Sequence, residues 1–313
     1  MNFTALLNTV ITLALVMVSG FIGGKFKVID EVASKKLSLL ILRIGQPFLI
    51  ISSILGVEYS KDTLILGIKT MLIGFAIHIL LAVVAFFLCS GFKNLDERKL
   101  SEFAIVFGNV GFMGFPILET LFGARGLFMG VFFVISFNIM IWSLGIFILG
   151  RKRKDMKLTF RKIFINFGTV PSAIGLLIFV LNIRLPGFVY TTASYLGSLC
   201  TPISLIVTGA LLARKTPKQI FLAPKVYFVS FIKLIFIPII ICVASVIIGF
   251  SYEYTMFLTV VCAMPCAAII SMLAELYDIS PEYAAQNVGT SSLISMVTMP
   301  CVLWIAERIV NLQ

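Results

Sequence analysis

Three basic residues stand inside long apolar segments of the sequence and away from the segment ends: Arg43, His78 and Lys233. An ionisable side chain in such a segment is costly to bury and is a functional candidate. An amine at the depth of Lys233 needs a partner or water. Arg43 can instead extend its charge to a membrane surface, and His78 can be a neutral, hydrogen-bonded packing residue. His78 and Lys233 are therefore predicted to set the electrostatic potential along a pathway for a negatively charged solute.

Acidic residues follow the opposite pattern. All 14 Asp and Glu residues are predicted to lie in loops or within about a turn of a segment end, with Glu119 and Glu275 the deepest. Sodium ligands and proton carriers inside a membrane are usually carboxylates. We therefore expect an anionic substrate, and the coupling ion stays open.

Glycine and proline interrupt two apolar segments. Residues Phe107–Pro116 contain three glycines and one proline, and a second segment carries Pro265. Both residue types weaken a helix interior. If both helices unwind at these points, each is divided into two half-helices, and the N-terminus of the half-helix after the break favours an anion. Asn109 can hydrogen-bond a carboxylate. The alternative interpretation is packing glycines with a proline kink, because both residues are frequent in membrane helices.

Two further prolines, Pro47 and Pro202, lie in the middle of apolar segments beside polar residues such as Gln46 and Ser204. These polar side chains either line a pathway or act as hydrogen-bonding contacts between helices.

The elements that must position these residues are membrane helices. Of 313 residues, 60% are hydrophobic and only 12% are charged, which departs from soluble domains, and the apolar residues form blocks of bilayer-spanning length. We predict an all-α integral membrane protein with ten transmembrane helices at residues 5–24, 37–57, 64–90, 101–121, 125–149, 163–182, 188–212, 226–249, 254–275 and 283–306. Broken helices four and nine are expected to cross near the midplane of the lipid bilayer.

Loop charges predict the orientation. Lys and Arg concentrate in the loops around residues 25–36, 93–99, 151–162 and 214–225. The positive-inside rule places these loops in the cytoplasm, so both termini of this multi-pass cell-membrane protein are predicted to be extracytoplasmic. The loop between spans nine and ten is a poor fit, because it carries Asp278 and Glu282 and no basic residue.

The two halves of the chain share a pattern. A shift of 155 residues places Pro47 on Pro202 and His78 on Lys233, and all five span pairs overlap. Residues 1–150 form a first five-helix repeat, 151–162 a basic cytoplasmic loop, and 163–313 a second repeat. Five helices is an odd number, so the second repeat is inverted, as in many secondary transporters.

Several function classes fit poorly. The net charge of +11 resides in short loops between spans, so we expect no nucleic acid partner. The six cysteines show no metal-ligand spacing, and no nucleophile with a base, metal cluster or acid pair is found within the spans. We expect no enzyme activity, no catalytic residue, no metal and no cofactor.

Three stretches carry a family resemblance: GNVGFMGFP at 108–116, KLIFIPI at 233–239, and AMPCAAIISMLAELYDISPEYAAQ with the later SMVTMP within 263–300. Together they resemble the auxin efflux carrier family in its bacterial form. The resemblance covers the whole chain. It implies two inverted five-helix repeats whose broken helices cross at their prolines, a scaffold part and a moving part, and a homodimer. Cys266 departs from the family, where a Ser is usual.

The family's site lies next to the crossover, so the resemblance implies substrate-binding roles for a set of residues there. These are Asn109, Gly111, Met113 and Pro116 in span four, Pro265 in span nine, and, more loosely by position, Asn138, Gln286 and Asn287.

We therefore expect a secondary transporter or facilitator of a small organic anion, working by alternating access. Bacterial members of the family are described as carriers of malate, malonate or related carboxylates, and plant members export auxin. One alternative is a sodium-coupled organic anion symporter of the bile-acid type, which sodium dependence would identify. Another is an anion channel, which saturable turnover would exclude.

Overall fold

The structure is a computed structural model that describes residues 3–56, 60–153, 165–183, 185–214, 216 and 223–311. Among these residues it contains helices and no β-strand, apart from one isolated β-bridge. The helices in chain order are α1 (Phe3–Lys25), α2 (Glu31–Leu55), α3 (Lys61–Leu88), α4 (Leu95–Val106), α5 (115–122), α6 (Arg125–Gly150), α7 (Thr169–Val180), α8 (Gly187–Leu212), α9 (Pro224–Ile248), α10 (Tyr252–Ala263), α11 (Ile269–Leu276) and α12 (Pro281–Val310).

Seven of these helices are long and apolar enough to cross a bilayer: α1, α2, α3, α6, α8, α9 and α12. The three other predicted spans have a different form. Predicted span six corresponds to the shorter apolar helix α7, and its first residues, 163 and 164, fall outside the described residues. Predicted spans four and nine are each two short helices, α4 with α5 and α10 with α11. The multi-pass, all-helical prediction is confirmed, and the count of ten spans stays a prediction.

Three helices widen into a π-helical turn immediately before a proline. Proline lacks an N–H group and its ring clashes with the carbonyl of the preceding turn, so the hydrogen-bond ladder opens there. The turns and prolines are Ile41–Gly45 before Pro47, Val110–Gly114 before Pro116, and Ile232–Phe236 before Pro238. A fourth π turn, Ile141–Gly145, lies in α6 without a proline. Arg43 and Lys233 therefore both stand in irregular turns.

Helices α1 and α8 cross at close range through glycines. A Cβ atom on Gly20 would lie 2.1 Å from the carbonyl oxygen of Ile206, and one on Gly209 would lie 2.0 Å from that of Met17. Small residues allow this approach of two backbones, which is a common way for membrane helices to associate.

The chain turns sharply between α5 and α6 at Gly123, whose φ of +61° and ψ of −151° are accessible to glycine and strained for other residues. This turn, at which Gly123 is exposed, separates the short helix α5 from the long helix α6.

The end of the molecule that carries the basic loops is connected by ion pairs. Glu102 accepts hydrogen bonds from Arg98 and Arg151, and Lys225 pairs with Glu97 at 2.6 Å. Arg214 pairs with Glu275 at 3.2 Å. These contacts join segments that are far apart in the sequence. The described residues of several loops predicted for the same membrane side therefore lie together.

The acidic loop between α11 and α12 lies at this same end. Arg153 donates to the carbonyl oxygen of Asp278, and Arg214 lies 3.9 Å from Glu282 in addition to its contact with Glu275. Basic residues of neighbouring segments thus contact this loop through the carboxylate of Glu282 and the backbone of Asp278, which explains why a loop without Lys or Arg belongs to the basic end.

Two of the acidic residues that are predicted to lie near segment ends are buried. The side chains of Glu102 and Glu275 are 4% exposed. Their burial follows from the arginines that fold over them, a contact between distant segments that local sequence does not reveal. Both acids lie in helices of the interrupted spans, Glu102 in α4 and Glu275 in α11, and are held by arginines at the basic end.

Candidate functional site

The two interruptions of the chain are hydrogen-bonded to each other. The backbone N–H of Asn109 donates to the carbonyl oxygen of Pro265 at 2.8 Å, and the N–H of Ala267 donates to that of Phe107 at 3.0 Å. Gly108 and Cys266 form the isolated antiparallel bridge at this point. Backbone released by unwinding is therefore satisfied by the other break, which is what an apolar environment demands.

Surrounding protein covers this junction completely. Residues 101–110 and 254–275 are buried without interruption. A side chain of α12 completes the hydrogen bonding, since the hydroxyl of Ser291 accepts from the backbone N–H of Cys266 at 3.0 Å. Non-helical backbone at this depth is tolerated only where protein covers it or it lines a cavity.

A small cavity lies against the junction. Its volume is about 20 Å³, which is room for about one water molecule. Its walls come from α2, from both breaks and from α6, and include Gln46, Leu49, Asn109, Gly111, Phe137, Asn138, Ala267 and Ile269. The cavity thus joins residues from four distant parts of the chain.

Three side-chain amides converge on this cavity. The Nε2 of Gln46 donates to the Oδ1 of Asn138 at 2.9 Å. The remaining Oε1 of Gln46, Nδ2 of Asn138 and Nδ2 of Asn109 are buried and have no hydrogen-bond partner among the described residues. Buried polar atoms without partners are rare and costly, so each calls for an explanation. Two unpaired N–H₂ groups can donate to the oxygens of a carboxylate.

Helix ends give the cavity a positive potential. The π turn that leads into α5 begins at the cavity residues Asn109 and Gly111, and α11 begins at the cavity residue Ile269. The N-terminal end of a helix carries a partial positive charge and unpaired N–H groups. Two such ends bordering one cavity favour a bound anion.

His78 and Lys233 flank the first break. The ring of His78 lies 5.4 Å from that of Phe107, and its Nδ1 lies 2.6 Å from the carbonyl oxygen of Gly74. The Nζ of Lys233 lies only 3.3 Å from the point that a Cβ on Gly108 would occupy. His78 and Lys233, which occupy equivalent positions in the two predicted repeats, thus lie beside consecutive residues of the first break, 107 and 108.

A larger cavity of about 790 Å³, here called the vestibule, leads toward the same place. Its walls include Leu49, Ser52, Asp62, Arg125, Phe128, Tyr190 and Ser194. Leu49 lines both the vestibule and the small cavity. The loops around the vestibule are those with few basic residues, at the end of the molecule opposite the ion pairs of Glu102 and Glu275.

The structure brings four of the sequence-predicted residues into the small cavity, namely Gln46, Asn109, Gly111 and Asn138. Pro265 contacts the same junction through its carbonyl oxygen. Pro116 is partly buried two residues after the π turn.

The other predicted residues lie outside the walls of this cavity. Met113 packs with Leu13, Met17 and Leu205. Gln286 and Asn287 are buried in α12, where the Nδ2 of Asn287 donates to the carbonyl oxygen of Tyr283. Pro47 and Pro202 are partly buried, and Ser204 donates to the carbonyl oxygen of Thr201.

Sequence reasoning missed the apolar walls and one capping group. Leu49, Phe137 and Ala267 resemble any other residue of a membrane helix, so no local signal marks them. Ser291 has the polarity that could have singled it out, but its contact with Cys266 depends on how α12 packs.

Proteins similar to this chain are described as membrane transporters. The profile of a family described as "Membrane transport protein" matches residues 5–304. An uncharacterized transporter of Methanocaldococcus jannaschii is 22% identical over 96% of this chain and 98% of its own length. An uncharacterized transporter of Methanothermobacter thermautotrophicus is 24% identical over 97% of this chain and 99% of its own length.

Proposed function

The chain belongs to the membrane transport protein family, the auxin efflux carrier family that its motifs resemble, and from this premise we propose that it carries a small organic anion across the cell membrane by alternating access. The substrate class is a mono- or dicarboxylate, such as malate or malonate, or an auxin-like acid. The transporter family is consistent with a protein that is not an enzyme.

One observation carries the choice of substrate class: the unpaired amide N–H₂ groups of Asn109 and Asn138 face a cavity that two helix N-termini border. Amide N–H₂ donors and helix N-termini stabilise negative charge, and the unpaired Oε1 of Gln46 is an acceptor at the same cavity. The carboxylate is proposed to bind between these donors, with Gln46 orienting Asn138 through their hydrogen bond.

The proposed architecture is ten transmembrane helices in two inverted repeats, residues 1–150 and 163–313, joined by the basic loop 151–162. The mutual hydrogen bonds of the two breaks support a crossover near the midplane. The clustering of basic loops at one end supports a cytoplasmic position for that end, with both termini outside. A homodimer follows from the family resemblance.

Transport by this site requires movement. A cavity with room for about one water cannot hold a dicarboxylate, so the site is closed in this conformation. Opening it toward the vestibule requires α2, which carries Leu49, to separate from the break residues. Exposure of one site alternately to the two sides is the defining step of a secondary transporter.

Substitution of Asn138 by leucine tests the site. Asn138→Leu keeps the number and branching of the side-chain heavy atoms and removes the donor, and the loss of a hydrogen bond to a charged ligand costs about 1.5–3 kcal/mol. We expect the affinity for carboxylate to fall roughly 10- to 100-fold, measured as counterflow of radiolabelled malate and malonate in proteoliposomes. Asn109→Ala should have a similar effect.

Asn8→Ala is the matched control, because Asn8 is exposed on α1 far along the chain from the cavity residues. Its flux should equal that of the unmodified protein. Near-normal carboxylate flux in both Asn138→Leu and Asn109→Ala would refute the proposed site. Flux that rises without saturation as substrate concentration increases would indicate a channel.

A further inference from the structure

We propose that the ammonium group of Lys233 is a built-in cation that occupies the coupling-ion position at the crossover, so that transport does not require sodium. This inference rests on the proposed carrier function and concerns what drives it. It is carried by the position of one buried lysine relative to the two broken helices.

Lys233 lies on the side of the junction where α4 and α10, the first helices of the two broken spans, end. Its side chain is 1% exposed and starts from the π turn Ile232–Phe236. A Cβ added to Gly108 would lie 3.3 Å from the Nζ and 3.3 Å from the carbonyl oxygen of Val261. The ammonium and the carbonyl oxygen of Val261 in α10 therefore both lie beside Gly108 of the first break.

The helix ends near this position are C-terminal. Helix α4 ends at Val106, two residues before Gly108, and α10 ends at Ala263, two residues after Val261. The last carbonyl groups of a helix lack intrahelical partners and carry a partial negative charge. The junction thus has two polarities, with helix N-termini at the amide cavity and helix C-termini at Lys233.

No carboxylate balances the ammonium. The titratable side chains that face it are those of His78, Cys262 and Cys266, and none of them is an acid of the Asp or Glu type. Among the described residues, the ion pairs involve other basic residues, and the buried acids Glu102 and Glu275 are held by arginines. The partial charges of two helix ends are what remains to stabilise Lys233.

Half-helix C-termini and unwound carbonyls are the groups that coordinate sodium in transporters built on broken helices. Here a covalently attached cation already stands against them, which would repel a sodium ion of the same charge. The Lys233 amine lies beside these two carbonyl-rich ends. We therefore expect a carboxylate flux that is independent of sodium.

Flux of labelled malate and malonate into proteoliposomes, measured with equal sodium, potassium or choline chloride on both sides, tests the inference on the unmodified protein. The expected result is a rate that agrees within twofold in the three salts. A rate more than twofold higher in sodium would overturn the inference and leave the carrier function standing. The absence of carboxylate flux in all three salts would refute the carrier function, and the inference with it.

Lys233→Met gives a second readout, since methionine keeps much of the side-chain length and removes the charge. We expect at least a tenfold loss of flux in every salt. Lys36→Met is the matched control, because Lys36 is exposed in α2, and it should keep the flux of the unmodified protein. Equal flux in the two variants would contradict a role for the Lys233 charge. If Lys233→Met does not fold, the salt comparison on the unmodified protein still decides.

Discussion

Asn109 has separate tasks for its backbone and its side chain. Its N–H donates to Pro265, and its carbonyl oxygen accepts from the N–H groups of Met113 and Gly114 at 3.1 and 3.0 Å. With the backbone fixed by these three bonds, the side-chain amide points to the cavity without rearranging on binding. Preorganised donors of this kind reduce the entropic cost of holding a ligand.

Gly108 is the residue at which space is most restricted near the Lys233 charge. In Gly108→Ala the new methyl group would stand 3.3 Å from both the Lys233 Nζ and the Val261 carbonyl oxygen, so the junction must widen by a few tenths of an ångström. We expect carboxylate flux to fall severalfold while the protein stays folded, as measured by proteoliposome uptake together with thermal unfolding. Gly91→Ala is the control, because a Cβ there meets nothing within 4 Å. Unchanged flux in Gly108→Ala would show that the junction tolerates this expansion.

At the level of elements, the positions of the breaks follow from local sequence. Glycines and prolines act on the residues next to them, which is why the interruptions at Phe107–Pro116 and Pro265 can be predicted from the sequence alone. The hydrogen bond between Gln46 and Asn138 cannot be predicted in this way, because 92 residues separate the two and only helix packing joins them. The same holds for the buried Glu102 and Glu275, whose arginine partners come from other segments.

The glycine contact between α1 and α8 gives a prediction at this scale. In Gly209→Ala the methyl group would lie 2.0 Å from the Met17 carbonyl oxygen, so the two backbones must separate. Forcing extra volume into close packing typically costs about 1–3 kcal/mol. We expect a lower midpoint of thermal unfolding in detergent and lower expression. Gly187→Ala, in the same helix but with open space around it, should unfold like the unmodified protein. Equal midpoints for the two variants would mean that the crossing is looser than the structure shows.

The whole molecule has two chemically distinct ends. One carries the ion pairs around Glu102 and Glu275, and the other carries the vestibule with Arg125, which pairs with Glu253 at 3.2 Å. Sequence reasoning assigned the loops to two sides from their Lys and Arg content. It could not foresee the vestibule, because the walls of that cavity come from α2, α3, α5, α6 and α8 packed in three dimensions.

Cysteine labelling tests which end faces outward. We expect Arg125→Cys to react with a membrane-impermeant maleimide in intact cells, and Lys152→Cys to react only after permeabilisation, because basic loops stay inside. Both positions are exposed. The background is a Cys301→Ser protein, since the five other cysteines are buried. The reverse labelling pattern would invert the topology and place the vestibule on the cytoplasmic side.

Leu49 separates the vestibule from the amide cavity. A hydrocarbon side chain between two cavities offers no hydrogen bonds to replace the hydration shell of a small ion, so Leu49 opposes the leakage of ions from one cavity to the other. In the proposed carrier, the substrate passes only when α2 moves and Leu49 separates from the break residues. An apolar barrier of this type keeps ions from leaking through the closed conformation of the protein.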